Sequence, residues 1–317
     1  MTVTIEVSAF TGPYAGKNAP PTSYPIGLPE LLNRAITVGG FVVGSAAHRT
    51  MRRGAIGALV RSSVHVIGAP PALSVTLLYE RTESSEKAGI TFRLGMAFAA
   101  IAASRILGVP ALTHVGVLGG GRRADLVGAD ALNQTHIVEA KARAHGFSTT
   151  EEAHAKAQAT NTAANLLLTG TTAATASTCL TDLSNSPLAV KLTDPPGSED
   201  EPRRLDRPEL LREYYSVVPE LLSMKDREPS GIPVVDDHVD GAWLPGGDIW
   251  IGLERPLLET GRTTQRWDRV MESAMADERL SRENDRDGQH ADDEDLARRS
   301  FTASDGHTVV LREHDGL

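Results

Sequence analysis

Between residues 84 and 193 helix and strand signals alternate in one order, and that order constrains the fold more than any other feature of the chain. Thr82, Ser84 and Ser85 offer capping hydroxyls to a long helix of small and apolar residues that runs to Gly108-Val109-Pro110. The longest apolar run, about 90–112, is broken by Arg93 and Arg105, which predicts a buried amphipathic helix and no membrane span. Strand patterns follow over 122–128 and 135–142, joined by a turn-like stretch containing Asp130 and Asn133. A second helix is expected over 150–168, with Ser148, Thr149 and Thr150 at its start, Glu151 and Glu152 in its first turn and Gly170 at its end. Strands are expected again over 173–180 and 188–193. Such elements bury their apolar faces together as stacked layers, so the chain is predicted to be α/β, with a mixed central sheet flanked by helices.

The flanks read differently. Residues 1–71 are rich in Gly, Pro and Ala and predict an N-terminal extension of loops and short elements, with a short helix near 28–36. A strand is expected over 73–79. Pro195-Pro196-Gly197 and the acidic run Glu199-Asp200-Glu201 mark a boundary, giving a core over 72–197 and a C-terminal accessory region over 198–317. In that region a helix is predicted over 208–224 and a strand over 248–253. The charged stretch 262–300 reads as a solvated helix that frays, and 301–311 as a hairpin turning at Asp305-Gly306. The accessory region is the expected contact surface for a protein partner or a second copy of the chain.

Composition removes several classes. The single cysteine, Cys179, makes neither an internal disulfide nor a cysteine-built zinc site, and it falls in an expected core strand. A net charge of −9 excludes a general basic coat for nucleic acid, though not a local basic groove. The start, Met1-Thr2-Val3-Thr4-Ile5-Glu6-Val7, lacks the pattern of a signal peptide, so the cytoplasm is the expected location.

The chemistry concentrates in the two strands at 122–143. Residues two apart on a strand share a face, so Ile137, Glu139, Lys141 and Arg143 point one way while Val138, Ala140 and Ala142 point the other. A pairing symmetric about Leu132 sets Asp125 opposite Glu139. Two carboxylates so placed repel each other, and a divalent cation between them reverses the sign of that interaction. Oxygen ligands suit magnesium or manganese. Lys141, one step along the same face, adds an ammonium where a phosphate would gain charge.

Asp125, followed 14 residues later by Glu139-Ala140-Lys141, resembles the signature of the PD-(D/E)XK nuclease superfamily, which has the restriction-endonuclease-like fold. The resemblance covers about residues 75–195. It implies an αβββαβ core with the aspartate and the E-x-K triplet on adjacent strands. It further implies that Asp125, Glu139 and the Ala140 carbonyl hold Mg²⁺ or Mn²⁺, and that Lys141 positions or activates water. Glu86 is the nearest candidate for the additional glutamate that some branches carry on the first core helix. Gln158 stands where other branches have a glutamine, although Thr162 replaces the tyrosine four residues later, and Ala124 replaces the proline before the aspartate. The activity implied is metal-dependent hydrolysis of phosphodiester bonds in nucleic acid, DNA being the expected substrate, by an endonuclease or exonuclease in defence, restriction or repair. The alternative is a catalytically silent restriction-like domain that binds nucleic acid or protein as a scaffold, which the acidic net charge also suits.

Other features have plainer readings. Arg122, Arg123 and Arg143 flank the acidic pair and are candidate phosphate contacts. His48 with Arg49, Arg52 and Arg53 is either a second phosphate contact or a solvated helix end. Gly119-Gly120-Gly121 precedes a strand and lacks the ending of a phosphate-binding loop, so it predicts a flexible hairpin entry. His136, His145 and His154 span a strand, a loop and a helix and read as solvated or capping residues.

Overall fold

The computed structural model describes residues 2–38, 45–67, 72–115, 125–130, 135–165, 174–184, 188–194, 214–223, 239–245, 249–264, 300–302 and 307–311. Its core series is α4 (Ser84–Ala102), β5 (Leu112–His114), β6 (Leu126–Ala129), β7 (Thr135–Arg143), α5 (Thr149–Asn165), β8 (Ala174–Asp182) and β9 (Ala189–Thr193). Before it come β1 (Thr2–Ser8), β2 (Ala19–Pro25), α1 (Leu28–Val38), α2 (Ala46–Ser63), β3 (Val64–Ile67), β4 (Ala72–Val75) and α3 (Leu77–Arg81). After it come α6 (Val217–Ser223), β10 (Val239–Trp243), β11 (Ile249–Glu254), α7 (Arg255–Thr264), β12 (Ser300–Thr302) and β13 (His307–Leu311).

The protein is α/β with a large mixed sheet. Among the described residues nine strands form it, in the order β3-β4-β1-β9-β8-β7-β6-β5, with β2 paired to β1. Strand β7 is antiparallel to β6 and parallel to β8, and β8 is antiparallel to β9. The parallel pair needs a crossover, and α5 supplies it. Helix α4 lies on one face of β7, β8 and β9, while α5 lies on β7 and β8. Four further strands form a small sheet in the order β10-β11-β13-β12, which rests on α1 and α2.

The local reasons are visible. Helix α5 opens with a capping box: the Ser148 amide donates to Glu151 Oε2 at 3.0 Å and the Glu151 amide to Ser148 Oγ at 3.2 Å. Helix α4 runs into a π-helical turn, Ala103–Leu107, and stops at Gly108, whose φ of 71° is left-handed and favours glycine. The stretch Ser84–Leu107 is long and apolar enough to cross a membrane, but it is mostly buried inside the protein. The expected strand over 73–79 ends at Val75. Thr76 there caps α3 instead, accepting the Tyr79 amide at 3.2 Å. Strand β5, absent from the sequence reading, is only three residues long, too short for a periodic pattern.

The N-terminal segment is part of the sheet. Strand β1 pairs in parallel with β9 and buries Val3, Ile5 and Val7 in the common core. The C-terminal elements share that core through Ile249, Ile251 and Val309. The basic cluster on α2 divides, with His48 and Arg52 exposed. Arg53 is buried, donating to Glu220 Oε2 of α6 at 2.7 Å, and Arg49 pairs with the same carboxylate. The Gly119–Gly121 loop, the charged stretch over 265–299 and the Asp305-Gly306 turn lie outside the described residues.

Gly95 sets how closely α4 approaches β7. A Cβ there would stand 3.0 Å from Ala142 Cβ and 3.4 Å from the Lys141 carbonyl carbon. Gly95→Val is expected to overpack this contact and destabilise the protein by about 1–3 kcal/mol in urea unfolding. Unchanged stability would mean that the helix gives way freely.

Candidate active site

The register expected from the sequence is the one observed. Leu126 pairs with Val138, Val127 with Ile137 and Gly128 with His136, and this pairing continued by one residue sets Asp125 opposite Glu139. Asp125 sits in a bend just before β6. Its Oδ2 accepts the Ala140 amide at 3.1 Å, and its carbonyl accepts the Val115 amide at 2.9 Å. The carboxylate therefore continues the ladder where β6 has ended. The N–H and C=O of one strand residue point to the same side, so the Ala140 carbonyl also opens toward Asp125.

Glu139 is wholly buried, and its carboxylate meets the Lys141 ammonium and the Asp125 backbone amide. Lys141 ion-pairs with Glu139 Oε1 from a side chain that is 31% exposed. The site is thus one buried carboxylate, one half-buried carboxylate and one ammonium that reaches solvent. Burial raises the Glu139 carboxyl to about 8, Asp125 adds to the rise, and Lys141 opposes it. Burial also raises Asp125, against the pull of Lys141 and of the Ala140 amide. Both shifts record one fact: the fold alone does not provide for two negative charges here.

The remaining candidates are distributed unevenly. Lys191 on β9 shares the face of Lys141, and its ammonium meets Glu152 Oε1 of α5 at 3.0 Å, so α5 covers the face that carries Glu139. Gln158 lies on α5, half-buried, and its carbonyl accepts the Thr162 hydroxyl at 2.9 Å. Glu86 is exposed in the first turn of α4, the helix against the opposite face of β7. Arg143 is exposed at the end of β7, with its Nε 2.8 Å from Glu151 Oε1. Arg122, Arg123 and Ala124 lie outside the described residues.

Two corrections concern polar residues. His136 is neither solvated nor a cap. It is wholly buried, with Nε2 3.3 Å from Asp130 Oδ2 and 3.2 Å from the Tyr14 hydroxyl, which itself donates to Asp130 at 3.0 Å. His145 and His154 are exposed and share no metal site with it. The sequence reading missed Tyr14, whose signal is purely tertiary, and Thr178, whose place beside Glu139 appears only once β8 is paired with β7. Cys179 is a buried core residue whose thiol is raised by burial, away from any nucleophilic role.

Among the described residues no three His, Cys, Asp or Glu side chains converge as a metal site. The donor set is two carboxylates and one carbonyl. Magnesium accepts such a set, because it keeps several waters and binds through one or two carboxylates. The oxygens of Glu139, buried beside a second carboxylate, fit that role. The chain matches no protein-family model, no curated protein and no solved structure.

A raised carboxyl makes the folded protein hold a proton that the unfolded chain releases. Stability is then lost as pH climbs from the ordinary carboxylate range to about 8. Glu139→Gln, which mimics the protonated form, is expected to melt a few degrees above the wild type at pH 8 in EDTA, with the gain shrinking toward pH 4.5. An equal gain at both pH values would show that Glu139 is not protonated on folding.

Proposed function

We propose that the protein is a metal-dependent phosphodiesterase that hydrolyses nucleic acid, with DNA as the expected substrate, built on a restriction-endonuclease-like core. The observation that carries this reading is the placement of Asp125 opposite Glu139 with Lys141 on the same face. The series α4-β5-β6-β7-α5-β8 supports it, because it has the order αβββαβ and sets one acid on β7 and the other at the entry to the adjacent β6.

Asp125, Glu139 and the Ala140 carbonyl would hold Mg²⁺ or Mn²⁺. The cation would supply charge neutralisation at the phosphate and a more acidic water. The side chains do the rest. Glu139, which ion-pairs with Lys141 in the protein alone, would be one of the groups that hold the cation. Lys141, anchored on a rigid strand but open to solvent, would then orient the attacking water and offset the charge growing on the phosphoryl oxygens. A phosphorus–oxygen bond forms to that water while the bond to the leaving sugar oxygen breaks. Water's proton passes to solvent, and the sugar oxygen takes one up. Arg143, with Arg122 and Arg123, would position the phosphate backbone.

The test is cleavage of plasmid and of single-stranded DNA in Mg²⁺ or Mn²⁺. Wild-type cleavage is expected to vanish in EDTA and to fall at least a hundredfold in Lys141→Ala and in Asp125→Asn. Cleavage retained by both variants would overturn the reading. A protein that binds DNA equally in EDTA and never cuts it would favour the scaffold.

A further inference from the structure

The acidic pair is the end of a longer polar row across the sheet. Register sets Thr178 of β8 beside Glu139 of β7, and Thr193 of β9 beside Thr178. Partners in register point to the same face, so the row runs Glu139, Thr178, Thr193 beneath α5. All three residues are buried. Neither Thr178 Oγ1 nor Thr193 Oγ1 has a hydrogen-bond partner among the described residues. Valine has nearly the same shape and strand preference as threonine and carries no hydroxyl to satisfy, so the protein alone gains nothing from these hydroxyls.

Thr178 differs from Thr193 in its neighbour. It is one strand, about 4.8 Å, from Glu139, whereas Thr193 is two strands away. A hydroxyl both donates and accepts, so a threonine beside a carboxylate can hold one of its oxygens while the other faces a cation. Carboxylates that bind metals are themselves hydrogen-bonded, and that bond decides which lone pair is presented.

We propose that Thr178 is a positioning residue for Glu139, its hydroxyl donating to the ionised carboxylate and fixing the oxygen offered to a divalent cation. The assignment rests on the metal-site reading of Asp125 and Glu139. It adds a requirement that this reading does not contain: β8, which bears none of the proposed ligands, determines how well the cation is held. A tight site would need the hydroxyl, and a cation-free protein would not.

The experiment is Mn²⁺ titration calorimetry on the full-length wild type, Thr178→Val, Thr178→Ser and Thr193→Val, with melting in EDTA for each. Thr178→Val is expected to bind Mn²⁺ about tenfold more weakly than the wild type, while melting at the same temperature or higher in EDTA. Thr178→Ser keeps the hydroxyl and is expected to bind within about twofold of the wild type, as is Thr193→Val. Wild-type affinity in Thr178→Val overturns the proposal, and so does an equal loss in Thr193→Val. A lowered EDTA melting point in Thr178→Val overturns it as well, since the hydroxyl would then already be stabilising the protein alone. A wild type that binds no Mn²⁺ overturns the metal-site reading itself, and this inference with it.

Discussion

The structure turns on a repulsion. Glu139 is wholly buried in a central strand with Asp125 facing it across the ladder, and one partly exposed lysine is set against the two carboxylates. An isolated charge in such a place costs several kcal/mol, and two like charges cost more. Burial raises both carboxyls, which disfavours their doubly charged state. A strand that needed only to be stable would carry apolar residues there, as it does at Ile137 and Val138.

The surrounding elements hold that arrangement rigid. Gly95 lets α4 lie against the backbone of β7 at Lys141 and Ala142, so the strand cannot shift toward that helix. On the other face Glu152 links α5 to β9 through Lys191. At the far end of β7, Tyr14, Asp130 and His136 tie the N-terminal segment to the strands that carry the acids. Burial and the Asp130 charge raise the Tyr14 hydroxyl, which keeps it a donor. The segment before α1 is therefore a brace for β6 and β7, and the Arg53–Glu220 bond braces α2 against the C-terminal elements in the same way.

How much of this was legible in the sequence follows from the range of each interaction. Local signals carried the α5 capping box, the end of α4 at Gly108 and the alternation along β7, because a few consecutive residues determine each. The symmetric hairpin register was also local, so residue spacing alone matches Asp125 with Glu139. Strand β5 was too short to show a period. The segment 73–79 divided at Thr76 because one hydroxyl caps a turn more effectively than it extends a strand. Buried Arg53, the Tyr14 cluster and Thr178 depend on partners up to 167 residues away and left no pattern to read.

Two acids and an ammonium meet at Asp125, Glu139 and Lys141, and this gives the site its meaning. Local propensity, strand alternation and helix capping agree over most of the core. They do not account for Asp125, Glu139 and Thr178, where like charges face each other and the Thr178 hydroxyl has no hydrogen-bond partner among the described residues. Stability selects against each of these features singly, and a conjunction of all three on adjacent strands is harder still to explain as neglect. The proposed cation would satisfy the carboxylates directly and the hydroxyl through Glu139. It would also suit a lysine at position 141, in a chain where arginine outnumbers lysine 26 to 6. A compact ammonium on a flexible stem is held less firmly by its carboxylate than a guanidinium fork would be.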